Sequence, residues 1–124
     1  MNDVFAKKYA RDVFVMTKRL APLHPGEVLR EEFLVPLGLS SYALAKSCGV
    51  SRNRIERLAK EDSPVTADMA LRLAKALNTT PEVWLNLQNS YDLRIVQSEI
   101  WQELETMVPI VRAKSKGSNK LRRY

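Results

Sequence analysis

The stretch from Ser40 to Lys60 leaves room for two short helices and a tight corner, and little else. Ser40 or Ser41 can accept a hydrogen bond from a free backbone N–H and so cap a helix over roughly 41–48. Leu44, Ala45 and Cys48 form its inward face. Gly49 follows where a residue of positive φ ends such a helix. Ser51 is again a good cap, and a second helix over 51–60 carries Ile55, Leu58 and Ala59 inward. Small Ala45 lets the two helices cross closely, with Ile55 and Leu58 filling the space between them. Arg52, Asn53, Glu56 and Arg57 are left pointing away.

The flanking sequence supplies helices that could hold this pair. Pro25-Gly26 punctuates the chain, with His24 before it as a turn residue whose spacing matches no metal or catalytic constellation. Val28, Leu29, Phe33, Leu34 and Leu37 then form an apolar stripe opposite Glu27, Arg30, Glu31 and Glu32, and Pro36 and Gly38 are expected to stop that helix. Residues 61–66 form a polar connection containing Pro64, with Val65 tucked in. Thr66 caps a helix through Asn78 whose apolar set is Met69, Ala70, Leu73, Ala74 and Leu77. Thr80 and Pro81 open a fifth helix with Val83, Trp84, Leu85 and Leu87. From Tyr91 to Val108 a further helical stretch is expected, closed by Pro109.

Neither end reads so clearly. Residues 1–23 mix charge with Val4, Phe5, Tyr9, Val13, Phe14, Val15 and Met16, favouring neither helix nor strand, and are expected to form an arm. Met16 offers an internal start, which would leave the first fifteen residues as an upstream extension. The last dozen residues, rich in Lys, Arg, Ser and Gly, cannot bury enough apolar surface to order themselves alone. No strand pattern or internal repeat stands out. The expected fold is all-α: a five-helix domain over 24–90 with its central motif at 41–60, and an additional C-terminal helix over 91–108. A 1–23 extension and a basic 109–124 tail flank it.

Charge is segregated rather than diffuse. The 124 residues carry a formal net charge of +6. Arg112, Lys114, Lys116, Lys120, Arg122 and Arg123 of the tail account for all of it, so the body is neutral overall. Within the body, Lys46, Arg52, Arg54, Arg57 and Lys60 face only Glu56 between residues 46 and 60, whereas 61–108 is acidic. One cysteine, Cys48, excludes an intramolecular disulfide and fits a reducing cytoplasm, the expected location. One His and one Cys build no ordinary zinc site, and no nucleophile–base pair is evident. No apolar run approaches the roughly 20 residues of a membrane helix, and charges interrupt every apolar stretch near the start. No enzyme activity, cofactor, metal or membrane contact is expected.

Two short helices joined by a three-residue turn containing Gly49 are the pattern of a helix-turn-helix. In that motif the second helix enters a DNA major groove about 12 Å wide and the first braces it. Arginine can pair with guanine and asparagine with adenine, and glutamate can accept from cytosine N4, which are the chemistries of Arg52, Asn53, Arg57 and Glu56. Lys46, Arg54 and Lys60, with the free N–H groups near Ser41 and Ser51, suit phosphates. An ordinary helical hairpin with a solvated charged face shares the glycine and charge pattern, so both readings stand at this level.

From His24-Pro25-Gly26-Glu27, through Trp84-Leu85-Asn86-Leu87-Gln88, to Tyr91-Asp92-Leu93, the chain resembles the HigA family of antitoxins. These belong to the Cro/C1-type (Xre) helix-turn-helix superfamily and are also described as virulence-associated protein I or plasmid-maintenance antidote proteins. The likeness covers about residues 24–96. Val65-Thr66-Ala67-Asp68 stands for the family's "ITAD" element, and Ser41 stands where the family frequently has glutamine, a departure that touches the usual glutamine contact to phosphate or base. The resemblance implies two roles: neutralising a HigB toxin, a RelE-like ribosome-dependent mRNA endonuclease, and repressing the operon as a dimer on double-stranded operator DNA. A stand-alone regulator without a toxin would use the same motif.

A homodimer has separate support. Trp84, Leu87, Tyr91, Leu93, Ile95, Ile100 and Trp101 are the candidate interface, being more apolar surface than so small a domain readily buries. Trp84 and Leu87 would serve equally as core. An isologous dimer would set its reading helices about 34 Å apart and match a palindromic operator.

Overall fold

Five helices and no strand make up residues 21–112, the part of the chain that the computed structural model describes. The expectations for the arm, for Met16 and for most of the basic tail lie outside the described residues.

Helix α1 is continuous but not uniform: Pro25–Val28 and Val35–Leu37 are α-helical, and Leu29–Leu34 between them is π-helical. His24 begins it as the N-cap, its Nδ1 accepting the Gly26 N–H at 2.8 Å, so this residue is a buried helix cap rather than a simple turn residue. Pro36 does not stop the helix as expected. A proline ring lacks an N–H and clashes with the carbonyl four residues back, and the wider π turn, with Val35 N–H bonded to Arg30 O, displaces that carbonyl register. Gly38, at φ 60°, ends the helix instead.

The next three helices follow the sequence closely. Helix α2 is Ser41–Cys48, and its cap is Ser40, whose hydroxyl accepts the Ala43 N–H; Ser41 is the first helical residue. Gly49 turns the chain at φ 73°, and Val50 N–H closes back on Ala45 O at 3.0 Å. Helix α3 is Arg52–Ala59 with Ser51 as cap, and α4 is Ala67–Leu77 between Thr66 and a left-handed Asn78.

Helix α5 runs Pro81–Thr106, capped by Thr80 and kinked at Ile100. The separate C-terminal helix expected from residue 91 is its second half. Asn89 and Ser90 are polar but break nothing, and no Gly or second Pro lies in the span. The backbone departs from helical values only at Ile100, φ −118° and ψ 15°.

The core lies where α1, α2, α3, α4 and the first half of α5 meet, around Leu29, Leu44, Ile55, Leu58, Leu73, Trp84 and Leu87. Trp84 is 0% exposed, and its Nε1–H donates to Thr79 Oγ1 at 2.8 Å. Burying a side chain of this class fully is worth roughly 1.5–3 kcal/mol. Trp84 and Leu87 are therefore spent inside one protomer and leave the candidate dimer interface. Gly26 also changes meaning: it sits in the first turn of α1, where a Cβ would collide with the backbone carbonyl of Leu58 on α3. Its role is close approach, not punctuation.

Candidate nucleic-acid interface

Helix α3 buries one face and offers the other. Ile55, Leu58 and Ala59 are buried; Arg52, Asn53, Arg54, Arg57 and Lys60 are exposed, and Glu56 is half-buried. Ser51 secures the first turn by accepting the Arg54 N–H, while the remaining first-turn N–H groups have no intrahelical acceptor. The Arg52 Nε lies 2.7 Å from Glu56 Oε2, one helical turn on, which orders both side chains on the outward face.

The other candidate residues fall in three settings. Lys46 is exposed on α2 with its Nζ 5.9 Å from the centre of the Tyr42 ring. Ser41 is half-buried at the start of α2, and Lys60 is exposed just past the end of α3. Arg54 points toward α4 instead of straight outward: its Nη2 is 3.5 Å from Asp68 Oδ2 and 3.7 Å from the Met69 sulfur. Asp68 also accepts from Arg72 Nε at 3.0 Å. These arginines hold its carboxyl below the usual range, Arg72 first.

Two arginines not among the candidate residues flank α3, one at the corner before it and one at its last residue. Arg72 Nη1 donates to Cys48 O at 2.7 Å, at the corner before α3. Arg30 Nη1 donates to Ala59 O, the last residue of α3, and also meets Glu61 Oε2. The Asp68/Arg72 pair was legible as an i,i+4 spacing. The carbonyl contacts, 24 and 29 residues apart in sequence, had no local signal. Cys48 is buried and its thiol is pushed up by that burial, the opposite of a reactive thiolate.

The second half of α5 presents an apolar strip. Leu93 is 70% exposed and Trp101 52%, with Val96 and Leu104 also exposed. Ile95, Ile100 and Tyr91 are half-buried, and Tyr91 stacks edge-on to His24 with ring centres 4.8 Å apart. Among the described residues, no cluster of His, Cys, Asp or Glu could hold a metal ion, and no helix is long and apolar enough to cross a membrane.

A helix-turn-helix family model matches residues 29–84. Virulence-associated protein I of Dichelobacter nodosus is 43% identical over 88 residues, spanning 71% of this chain and 81% of that protein. Antitoxin HigA-1 of Vibrio cholerae serotype O1 is 42% identical over 94 residues, spanning 76% and 88%. The chain belongs to the HigA family of helix-turn-helix proteins. Among solved structures, this HigA-family chain is similar to antitoxin GraA in complex with its operator, with a TM-score of 0.70 and 45% identity. That match covers 76% of this chain and 95% of GraA. The HigA-type fold expected from the sequence is thus the fold observed.

Proposed function

We propose that this HigA-family protein binds operator DNA through α3 and is the antitoxin and autorepressor of a type II toxin–antitoxin operon. The observation that carries the reading is the outward face of α3. Arg52, Asn53 and Arg57 project together from a frame that resembles an antitoxin solved on its operator. Arg52 and Arg57 suit guanine edges and Asn53 an adenine edge, and Glu56 either accepts from a cytosine or keeps Arg52 aimed. Lys46, Lys60 and the first-turn N–H groups at Ser41 and Ser51 would meet phosphates, and Arg54 could join them from beside Asp68.

We assign the dimer to the second half of α5, through Leu93, Ile95, Ile100 and Trp101, with the exposed Val96 and Leu104 beside them. Tyr91 sits at its inner edge. Two copies related by a two-fold axis would bring two α3 helices to successive major grooves about 34 Å apart, which calls for a palindromic operator. The toxin would be a HigB-like mRNA endonuclease of the RelE type, in keeping with the antitoxin name carried by the relative from Vibrio cholerae.

The test has two arms. Titrating the purified protein onto its own promoter DNA should give protection of two half-sites about one helical turn apart. Purification from the native operon, followed by mass spectrometry, should recover a small basic RelE-like protein. Protection without that protein would leave a stand-alone regulator, and no preference for the promoter would remove the DNA-binding reading.

A further inference from the structure

We infer that Arg30 and Arg72 set the pose of α3, Arg72 by holding backbone carbonyls at the corner before it and Arg30 by holding the carbonyl of its last residue. This inference rests on the reading of α3 as the DNA-contacting helix. An eight-residue helix is only about 12 Å long, and its outward face must stay uncovered to read bases. Its buried face fixes how deep it sits, but two neighbours fix where it begins and ends.

At the leading end, Arg72 on α4 donates from Nη1 to Cys48 O at 2.7 Å, and approaches Gly49 O at 3.5 Å. Its Nε is held by Asp68 at 3.0 Å. At the trailing end, Arg30 on α1 reaches Ala59 O with Nη1, while its Nε lies 2.9 Å from Glu31 Oε2 and Nη1 and Nη2 approach Glu61 Oε2. Glu61 itself sits at φ 66°, a left-handed conformation uncommon for a side-chain-bearing residue, so the turn leaving α3 is pinned where the chain alone would not favour it. In both cases one planar guanidinium bridges a carbonyl and a carboxylate at once. An ammonium, a single point charge, does not reproduce that fork.

The consequence falls on specificity. A small shift of α3 spoils base-edge hydrogen bonds, whose loss costs about tenfold or more each, while phosphate attraction tolerates it. Arg30→Lys and Arg72→Lys keep the charge and remove the fork. Full-chain wild type and both variants should be titrated onto operator and onto scrambled DNA of equal length, between about 50 and 200 mM salt. The expected result is an operator affinity lowered about tenfold, with scrambled-DNA affinity and salt slope unchanged.

A merely structural role would lower the folded fraction and weaken both DNAs equally, and that outcome overturns the inference. So does full operator affinity in the lysine variants, which would assign the two arginines to charge alone. Wild type that does not prefer operator would sink the reading of α3 itself, a distinct result.

Discussion

The side-chain carbonyl of Gln88 accepts the backbone N–H of Val65 at 2.7 Å, joining α5 to the connection that follows α3. Gln88 is buried, and its amide N–H donates in turn to Asp92 Oδ1 at 2.9 Å. Gln88→Leu would fill similar space but leave the Val65 N–H without an acceptor, a loss of roughly 1–3 kcal/mol. Urea denaturation of the two proteins should show the difference as a lowered midpoint with an unchanged slope.

Two glycines should respond to alanine for different reasons. At Gly26 the new Cβ meets the Leu58 carbonyl, so α1 must move off α3, at a cost of roughly 1–3 kcal/mol or more. At Gly38 nothing lies within 4 Å, and the cost is the left-handed backbone alone, about 1–2 kcal/mol. Gly26→Ala should therefore lose operator affinity as well as stability, since α3 is what it displaces. Gly38→Ala should lose stability only.

His24 makes stability depend on pH. Burial lowers its pKa from 6.5, outweighing the opposite pull of Glu61, Asp92 and Asp62, and only the neutral ring can accept the Gly26 N–H. The folded pKa lies below the unfolded one, so the unfolded chain binds the proton first as pH falls. The contribution of the neutral cap is whole above about pH 6.5 and is lost as pH drops through the folded value. His24→Asn keeps a capping acceptor and removes the titration. Urea midpoints should fall between about pH 8 and 5 for wild type and fall less for the variant, which lacks that titration.

On α5, Leu93→Glu and Trp101→Glu place charge on the exposed strip and should give folded monomers by light scattering. Trp84→Ala should instead destabilise the protomer by roughly 3–5 kcal/mol, because its ring is core. Dimers that persist in both charged variants would move the interface elsewhere.

Much of this was legible because it is local. Ser51, Thr66 and Thr80 cap where their side chains and the following apolar spacing say they should, and Gly49 turns where α2 must end. The separation of Ile55, Leu58 and Ala59 from Arg52, Asn53 and Arg57 also follows from helical period alone. What escaped depended on partners distant in sequence. The π turn that accommodates Pro36, the collision reserved by Gly26, and the carbonyls held by Arg30 and Arg72 all require knowing which helices touch. The seam expected at residue 91 is absent, and the departure from helical geometry comes at Ile100 instead, where no Gly or Pro marks it.

The most direct measurement is the operator affinity of Arg52→Ala, Asn53→Ala and Arg57→Ala against a series of single base-pair changes in each half-site. The account predicts that each variant loses roughly 1–3 kcal/mol and becomes indifferent at one position, while Lys46→Ala weakens every sequence alike and flattens the salt dependence. Unchanged affinity and unchanged base preference in all three α3 variants would contradict it.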